Sequence, residues 1–547
     1  MPAPNGTPLD TCAIYLNGSI APPELQRSIE EVTVEDSLRL PDVITIRLID
    51  PQIHWVDDSS LALGVEVEVR MGQGNDRKRV GIGEIVAMEF EHEHDHPRLV
   101  VQAFDRAHRL HRGTKVRTFQ QMSDADVVQK IARDAGFDAD VASAGVQHEY
   151  LMQDNLTDYA FLSERALRTG SELVVDGRTL RFRPANGSAG QSITLEWGST
   201  LRAFHARMTA AEQLGEVEVR GWDPHDKRAI VGSKSSTDAA PRIGVTPDDA
   251  RNSAFGSARA LVVHRPIATA SEAEALAQAA LDDATGSFVR VEGTALGNPD
   301  LRAGSTVEVK GVGRRLSGTY HVTTTTHVVG SAHGYETHFS VRGRHAETVS
   351  ELSGSGATAG LAGATALGPV IGLVTNVKDP DKKGKVKVKF PWLSDDQESA
   401  WARVVAPMAG PDRGLELLPE VDDEVLVVFE HGDVHRPLVV GGLWNGHDAP
   451  PLADAVSGDG AVQQRGIVTR AGHKIVLDDK DGGGGITVED SAGNTVTLDA
   501  GGSTVKVKSA GDLTVEATGS LTLKGQSVDV TANGGNVTVS GTQVNLN

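Results

Sequence analysis

The sequence predicts a mainly β protein of several domains whose C-terminal part is built from repeated short β-units. Three observations carry this. Runs that alternate apolar and polar residues with period two recur through most of the 547 residues. Only a few segments carry helix start and stop signals. The last hundred residues hold apolar pairs at i and i+2, with no aromatic residue after Trp444 and no proline after Pro451. A content of 60 Gly with 4% aromatics suits turn-rich β architecture. At roughly 150 residues per domain, the length sets a prior of three to four domains.

Between Leu9 and about Arg342, Val43-Ile-Thr-Ile-Arg-Leu-Ile and Val65-Glu-Val-Glu-Val-Arg read as half-buried strands. Helices are scarce but well signalled. Ser123 with Asp126 forms a capping box, Val127 and Ile131 lie one turn apart, and Gly136 takes the C-terminal left-handed position. Thr157 opens a second helix that Gly170 stops, and Ser271 with Glu274 opens an Ala-rich run that Gly286 stops. Residues 346–367, rich in Gly, Ala and Ser, are predicted to be a linker. Residues 368–446 then supply five short strands, beginning at Val370, Lys385, Trp401, Glu424 and Pro437, which suit a small barrel such as an OB-fold.

After a connector at 447–465, residues 466–547 repeat units with one narrow apolar row: Ile475/Leu477, Ile486/Val488, Val496/Leu498, Val505/Val507, Leu513/Val515, Leu521/Leu523, Val528/Val530, Val537/Val539 and Val544/Leu546. The opposite row is Thr, Lys and Asp. One copy has nothing to bury the apolar row against. Three chains wound about one axis would bury it, with Ile486, Val488, Val496, Leu498, Val505, Val507, Leu513, Val515, Leu521, Leu523, Val528 and Val530 as the trimer core. A single-chain solenoid and a disordered Gly/Thr tail are the alternatives at this point.

Composition narrows function. Lys plus Arg total 53 against 74 Asp plus Glu, a net charge of −21, which suits neither phosphate backbones nor anionic lipid. The single cysteine, Cys12, excludes an intrachain disulfide and a Cys-pair metal site. The N-terminus lacks the pattern of a secretory signal, and no run approaches the ~20 apolar residues of a membrane span, so synthesis and folding in the cytoplasm are expected. The run Glu91-His-Glu-His-Asp-His sets His92, His94 and His96 on one face if extended, a spacing fit for a divalent metal, but a polar hairpin edge explains it better and no metal site is assigned. Lys378, Lys382, Lys383, Lys385, Lys387 and Lys389 could draw single-stranded nucleic acid. Without stacking aromatics, the better reading is a solvated barrel face backed by Val386, Val388 and Phe390. His92-Glu-His-Asp-His has the letters of His-Glu-x-x-His, but it lies between two strand-like runs rather than on the helix that motif needs; no Gly-x-Ser-x-Gly or P-loop motif occurs, and no catalytic residue or cofactor is expected.

The order of these parts resembles the hub-and-spike proteins of contractile injection systems, the VgrG-type spikes. Met122-Ser-Asp-Ala-Asp-Val-Val-Gln-Lys-Ile-Ala, Asp158-Tyr-Ala-Phe-Leu-Ser-Glu-Arg-Ala-Leu-Arg-Thr-Gly and Leu173-Val-Val-Asp-Gly-Arg-Thr-Leu-Arg-Phe resemble the tail-hub signature of phage late-control proteins. Gly372-Leu-Val-Thr-Asn-Val-Lys-Asp-Pro-Asp-Lys-Lys-Gly, Pro419-Glu-Val-Asp-Asp-Glu-Val and Gly432-Asp-Val-His-Arg-Pro-Leu-Val-Val-Gly resemble the baseplate-spike OB module. The resemblance implies a homotrimer with two tube-like barrel domains per chain in a hub at 1–345. It further implies a non-enzymatic role, adapting a sixfold inner tube to a threefold needle that pierces a target envelope when the sheath contracts. Implied partners are inner tube proteins, baseplate proteins, a PAAR-like tip protein and effector cargo, with the target membrane met only during injection. Docking of the tip is expected at Val537, Val539, Val544 and Leu546, the chain having no late His-x-His knot. The particle would be cytoplasmic or released. A type VI secretion spike carrying effectors and a passive adhesin or tail fibre are the competing readings.

Overall fold

The computed structural model describes residues 11–74, 76–92, 97–142, 147–184, 192–211, 213–237, 241–254, 256–263, 267–330, 334–342 and 368–545. The expected linker at 346–367 lies outside them, as do His94, His96 and Leu546. The chain divides into two compact units, 1–443 and 444–547.

Unit 1 is organised by one 11-stranded sheet. Its order is Leu201–Met208, Val289–Leu296, Gly334–Val341, Thr324–Gly330, Ile29–Ser37, Val43–Ile49, Pro97–Phe104, Asp76–His92, Glu66–Gln73, Cys12–Leu16 and Ser19–Ile20. The two sequence halves of the hub meet edge to edge where Thr324–Gly330 pairs antiparallel with Ile29–Ser37. Period-two patterning explains the layering: Val32, Val34, Ile44, Ile46, Leu99 and Val101 point to one buried side.

Five α-helices among the described residues accompany the sheets: α1 Pro23–Ser28, α2 Asp124–Asp134, α3 Asp158–Thr169, α4 Pro247–Ala254 and α5 Ala270–Gly286. Ser123 and Asp126 form the expected capping box of α2, and Gly136 adopts φ +78° beyond its end. Thr157 caps α3, and Gly170 ends it at φ +65°. The cap of α5 is Thr269 rather than Ser271. Thr269 is extended, its Oγ1 accepts the Glu272 amide at 3.1 Å, and the Glu272 carboxylate accepts the amide of the preceding Ala268 at 2.9 Å, so the cap lies two residues upstream of the expected one. Helices α2 and α3 are tied by a buried set in which Arg165 Nε donates to Asp124 at 2.7 Å and His148 Nε2 lies 3.0 Å from the other oxygen. Burial pushes the Asp124 carboxyl up, but His148 and Arg165 outweigh it and hold it below the ordinary range.

All five expected barrel strands form, and they close in the order Val370–Asn376, Lys385–Lys389, Ala402–Val404, Pro437–Gly442, Glu424–Phe429. Val374, Val386, Val388, Phe390, Val425, Val427 and Val439 fill the interior.

The seam of the hub contains an acidic socket. Arg302 from the second half donates through Nε to Asp36, its Nη2 lies 3.8 Å from Asp42, and the Ala303 amide donates to Asp36 at 3.0 Å. Asp105 sits nearby, capping a 3-10 turn through the Ala107 amide at 3.0 Å. Burial pushes the Asp105 carboxyl up to about 7. An unfolded chain gives up that proton near the ordinary value of 3.8, so stability falls as pH rises from about 4 to about 7 and is level above. Asp105→Asn keeps the acceptor for Ala107 without the charge. We expect its hub to be more stable than the wild type by about 2 kcal/mol at pH 8, with the gap closing at pH 4. Urea midpoints at the two pH values check this, and an equal gap at both would refute it.

Candidate functional site

In unit 2, Gln464–Val468, Lys474–Asp478, Gly485–Glu489, Thr495–Asp499 and Thr504–Lys508 form an antiparallel meander in chain order. The register sets Ile475 opposite Val488, Leu477 opposite Ile486, Val488 opposite Val496, Ile486 opposite Leu498, Val496 opposite Val507 and Leu498 opposite Val505. Paired residues share a face. All eight side chains therefore stand on one side of a single-layered sheet, and they remain between 39% and 72% exposed. Covering them would gain on the order of 1 kcal/mol each. The opposite face is polar, with Lys474 Nζ 3.0 Å from Glu489.

The turns at one end repeat. Thr469-Arg-Ala-Gly-His and Asp490-Ser-Ala-Gly-Asn close identically, with Gly472 and Gly493 both at φ +88°. His473 Nδ1 accepts the Ser491 amide at 3.2 Å, and Asn494 Oδ1 accepts the Ala510 amide at 2.8 Å, so each turn holds the next like a stair. The recurring Ala-Gly at 471/472, 492/493 and 510/511 was the available sequence signal. Beyond Lys508 the described residues form no strands, and Leu513, Val515, Leu521, Leu523, Val528 and Val530 stand exposed, as do Val537, Val539 and Val544. A strand exists only as one member of a pair, and the described residues beyond Lys508 are paired with no strand, the outer edge of Thr504–Lys508 included.

A second mechanical element, missed by sequence reasoning, joins hub and barrel inside unit 1. In the two-stranded antiparallel sheet formed by Lys115–Ser123 and Gln147–Leu156, Leu151 belongs to the helical core of the hub, while Met152 is buried in the cluster formed by the OB barrel. Tyr150 Oη donates to the Glu398 carbonyl at 2.7 Å, and Thr118 Oγ1 donates to Gln397 at 2.8 Å. The barrel replies through His435, whose Nε2 lies 3.1 Å from the Met152 carbonyl. Arg168 of α3 lies between Glu164 (3.3 Å), Asp433 of the barrel (3.7 Å) and Glu272 of α5 (3.8 Å). Burial would raise the Asp433 carboxyl, but His435 and Arg168 hold it well below the ordinary range. Three consecutive apolar residues, Tyr150-Leu151-Met152, are more than one layer can bury, and that was the clue to a second partner.

The remaining sequence candidates separate. His92 ends a strand and is paired with Pro97, while residues 93–96, with His94 and His96, lie outside the described set. Lys385 Nζ reaches Asp381 at 2.8 Å, and Lys387 Nζ reaches Glu398 at 3.3 Å while lying 5.5 Å from the Trp401 ring centroid. Val386, Val388 and Phe390 alternate with these lysines into the core. A groove of about 540 Å³ crosses the hub sheet, where Arg342 pairs with Glu292 at 2.6 Å and Thr294 Oγ1 with His338 Nδ1 at 2.9 Å.

Because Met152 is the fully buried apolar contribution of the hub to the barrel cluster, Met152→Ala is expected to destabilise the barrel by about 3 kcal/mol, and Met152→Leu by less than about 1 kcal/mol. Hydrogen exchange of strands Val370–Asn376 and Glu424–Phe429 in the full chain measures this; unchanged protection in Met152→Ala would show that Met152 does not support the barrel.

Comparison with known proteins adds the lineage. The family described as the Alg8 N-terminal domain matches residues 8–331, the type VI secretion system/phage-baseplate injector OB domain matches 370–444, and the phage baseplate V C-terminal trimerisation domain matches 465–547. Among curated relatives, type VI secretion system spike protein VgrG3 of Vibrio cholerae is 34% identical over 94 residues, covering 16% of this chain and 9% of its own. VgrG2a of Pseudomonas aeruginosa is 36% identical over 77 residues, covering 13% and 9%. The match thus spans under a tenth of the length of either relative. A chain of the half-lidded Francisella PdpA-VgrG complex shares the fold, with a TM-score of 0.52 at 8% identity over 91% of this chain and 87% of that one. The chain belongs to the Alg8 N-terminal domain family and, through the succession of hub, injector OB barrel and trimerisation domain, to the VgrG-type hub-and-spike proteins.

Proposed function

We propose that three copies of this chain form the central spike of a phage tail-like contractile injection system, with the hub against the inner tube, the OB barrel as a collar and the C-terminal unit as the needle. The observation that carries this reading is the half-exposed apolar face of the C-terminal sheet, which continues in sequence as unpaired alternating units to Val544. Three chains wound together would bury that row on the axis and give every strand edge a partner, leaving no edge to peel when the needle is driven into an envelope. The role is mechanical and asks for no catalytic group. Among the described residues no helix is long and apolar enough to cross a membrane. Inner tube and baseplate proteins are the partners this role requires.

A type VI secretion spike is the second reading, favoured by the names of the curated relatives. Either reading expects light scattering to give three times the 57.8 kDa chain mass. Val530→Asp, which would set three unpaired charges at one level of the axis, should abolish that mass, whereas Thr531→Asp should keep it. A single-chain mass for the unaltered protein would end both readings.

We further propose that a cone-shaped tip protein of the PAAR type docks on Val537, Val539, Val544 and Leu546. A chain cut after Gly535 is expected to remain trimeric and lose the tip, and tip capture unchanged by the cut would refute the assignment.

A further inference from the structure

The OB barrel carries apolar side chains that its own core does not use. Between the strands Ala402–Val404 and Glu424–Phe429, a loop held by a short hairpin pairs Ala409 with Gly414 and Gly410 with Arg413, and the Leu415 amide donates to the Met408 carbonyl at 3.1 Å. This ordered loop turns Val405, Met408, Leu415, Leu417, Leu418 and Val421 outward, each between 40% and 59% exposed. Scattered apolar residues on a surface need no explanation, but six within seventeen positions of one loop mark a contact surface.

We propose that loop 405–421 is covered by the OB barrel of a neighbouring copy of this chain. The proposal rests on the trimeric reading and adds a second interface to it, upstream of the needle. Two observations select this occupant. The hub of the same chain is already seated elsewhere on the barrel, at Gln397, Glu398, Asp433 and His435. Only the 21 residues 443–463 separate the last barrel strand from the first strand of the region that matches a trimerisation domain. A tether that spans roughly 70 Å at full extension keeps three barrels at an effective concentration in the millimolar range. Six half-exposed aliphatic side chains per copy then face two identical barrels at close quarters, and their mutual burial is the favourable outcome. A closed threefold ring uses one such contact per copy and leaves none open.

The test places a photo-crosslinking amino acid at Leu417 in the full chain and reads two quantities: particle mass by light scattering, and crosslinked products by denaturing gel with peptide mapping. A particle of three chain masses that yields two-chain and three-chain bands, with crosslinks mapping to residues 368–443 of the other chain, is expected. A particle of that mass with crosslinks only within one chain, or with none, overturns the proposal and leaves the trimeric reading intact. A single-chain mass overturns the trimeric reading itself and this proposal with it. As an independent readout, Leu417→Asp should lower the urea concentration at which the trimer dissociates, and an unchanged midpoint would count against the loop. Leu417 lies outside the barrel core, so this substitution leaves the fold of the single chain in place.

Discussion

The constraint on which the rest depends is the one-sidedness of the C-terminal sheet. Its strands pair in unbroken register from Gln464 to Lys508, so the meander is regular, yet Ile475, Ile486, Val488, Val496 and Leu498 stand half-exposed on one face. A single layer of sheet holds its shape only when one face is dry. The same chemistry continues beyond Lys508, where the described residues form no strands. In the proposed trimer, strands of the neighbouring chains would supply the pairing, which would make association part of folding for this region.

Force applied to a spike must cross its joints, and the hub-to-barrel joint divides the task between two kinds of interaction. Met152 supplies apolar volume, filling the barrel from outside so that the two cores are continuous through one strand. The polar groups supply direction. Arg168 reaches two helices and the barrel at once, while Tyr150, Thr118 and His435 fix this two-stranded sheet against the barrel. An apolar plug alone resists separation but permits rotation, whereas a buried network that depends on orientation resists rotation. Together they make a joint that is stiff in both senses.

What the sequence disclosed follows the range of the interactions. Ser123 with Asp126 and Thr157 with Gly170 were legible because a cap is settled within four residues. The barrel strands and the apolar rows were legible because period two is written into consecutive positions. The cap of α5 was misplaced by two residues because Thr269, Ser271, Glu272 and Glu274 offer two overlapping boxes, and only the extended backbone at Thr269 separates them. Met152 in the barrel, Arg168 against Asp433 and Arg302 against Asp36 were not legible, since each joins positions more than 200 residues apart that local pattern does not connect.

The acidic surplus acquires a role once the apolar faces are placed. A protomer that exposes an uncovered sheet face risks pairing with copies in the wrong order, and a chain of net charge −21 repels its own kind at distances beyond the reach of apolar contact. Such repulsion is screened within roughly 8–10 Å at physiological salt. Correct alignment, which brings whole rows of Ile, Val and Leu together, overcomes it, and partial alignments that bury two or three side chains do not. The polar face that carries Lys474 and Glu489 balances charge locally, so the axis can close without gathering like charges along the outside of the needle. Charge and apolar patterning thus act in sequence: the first keeps free chains apart, and the second makes the fully registered assembly the one worth forming.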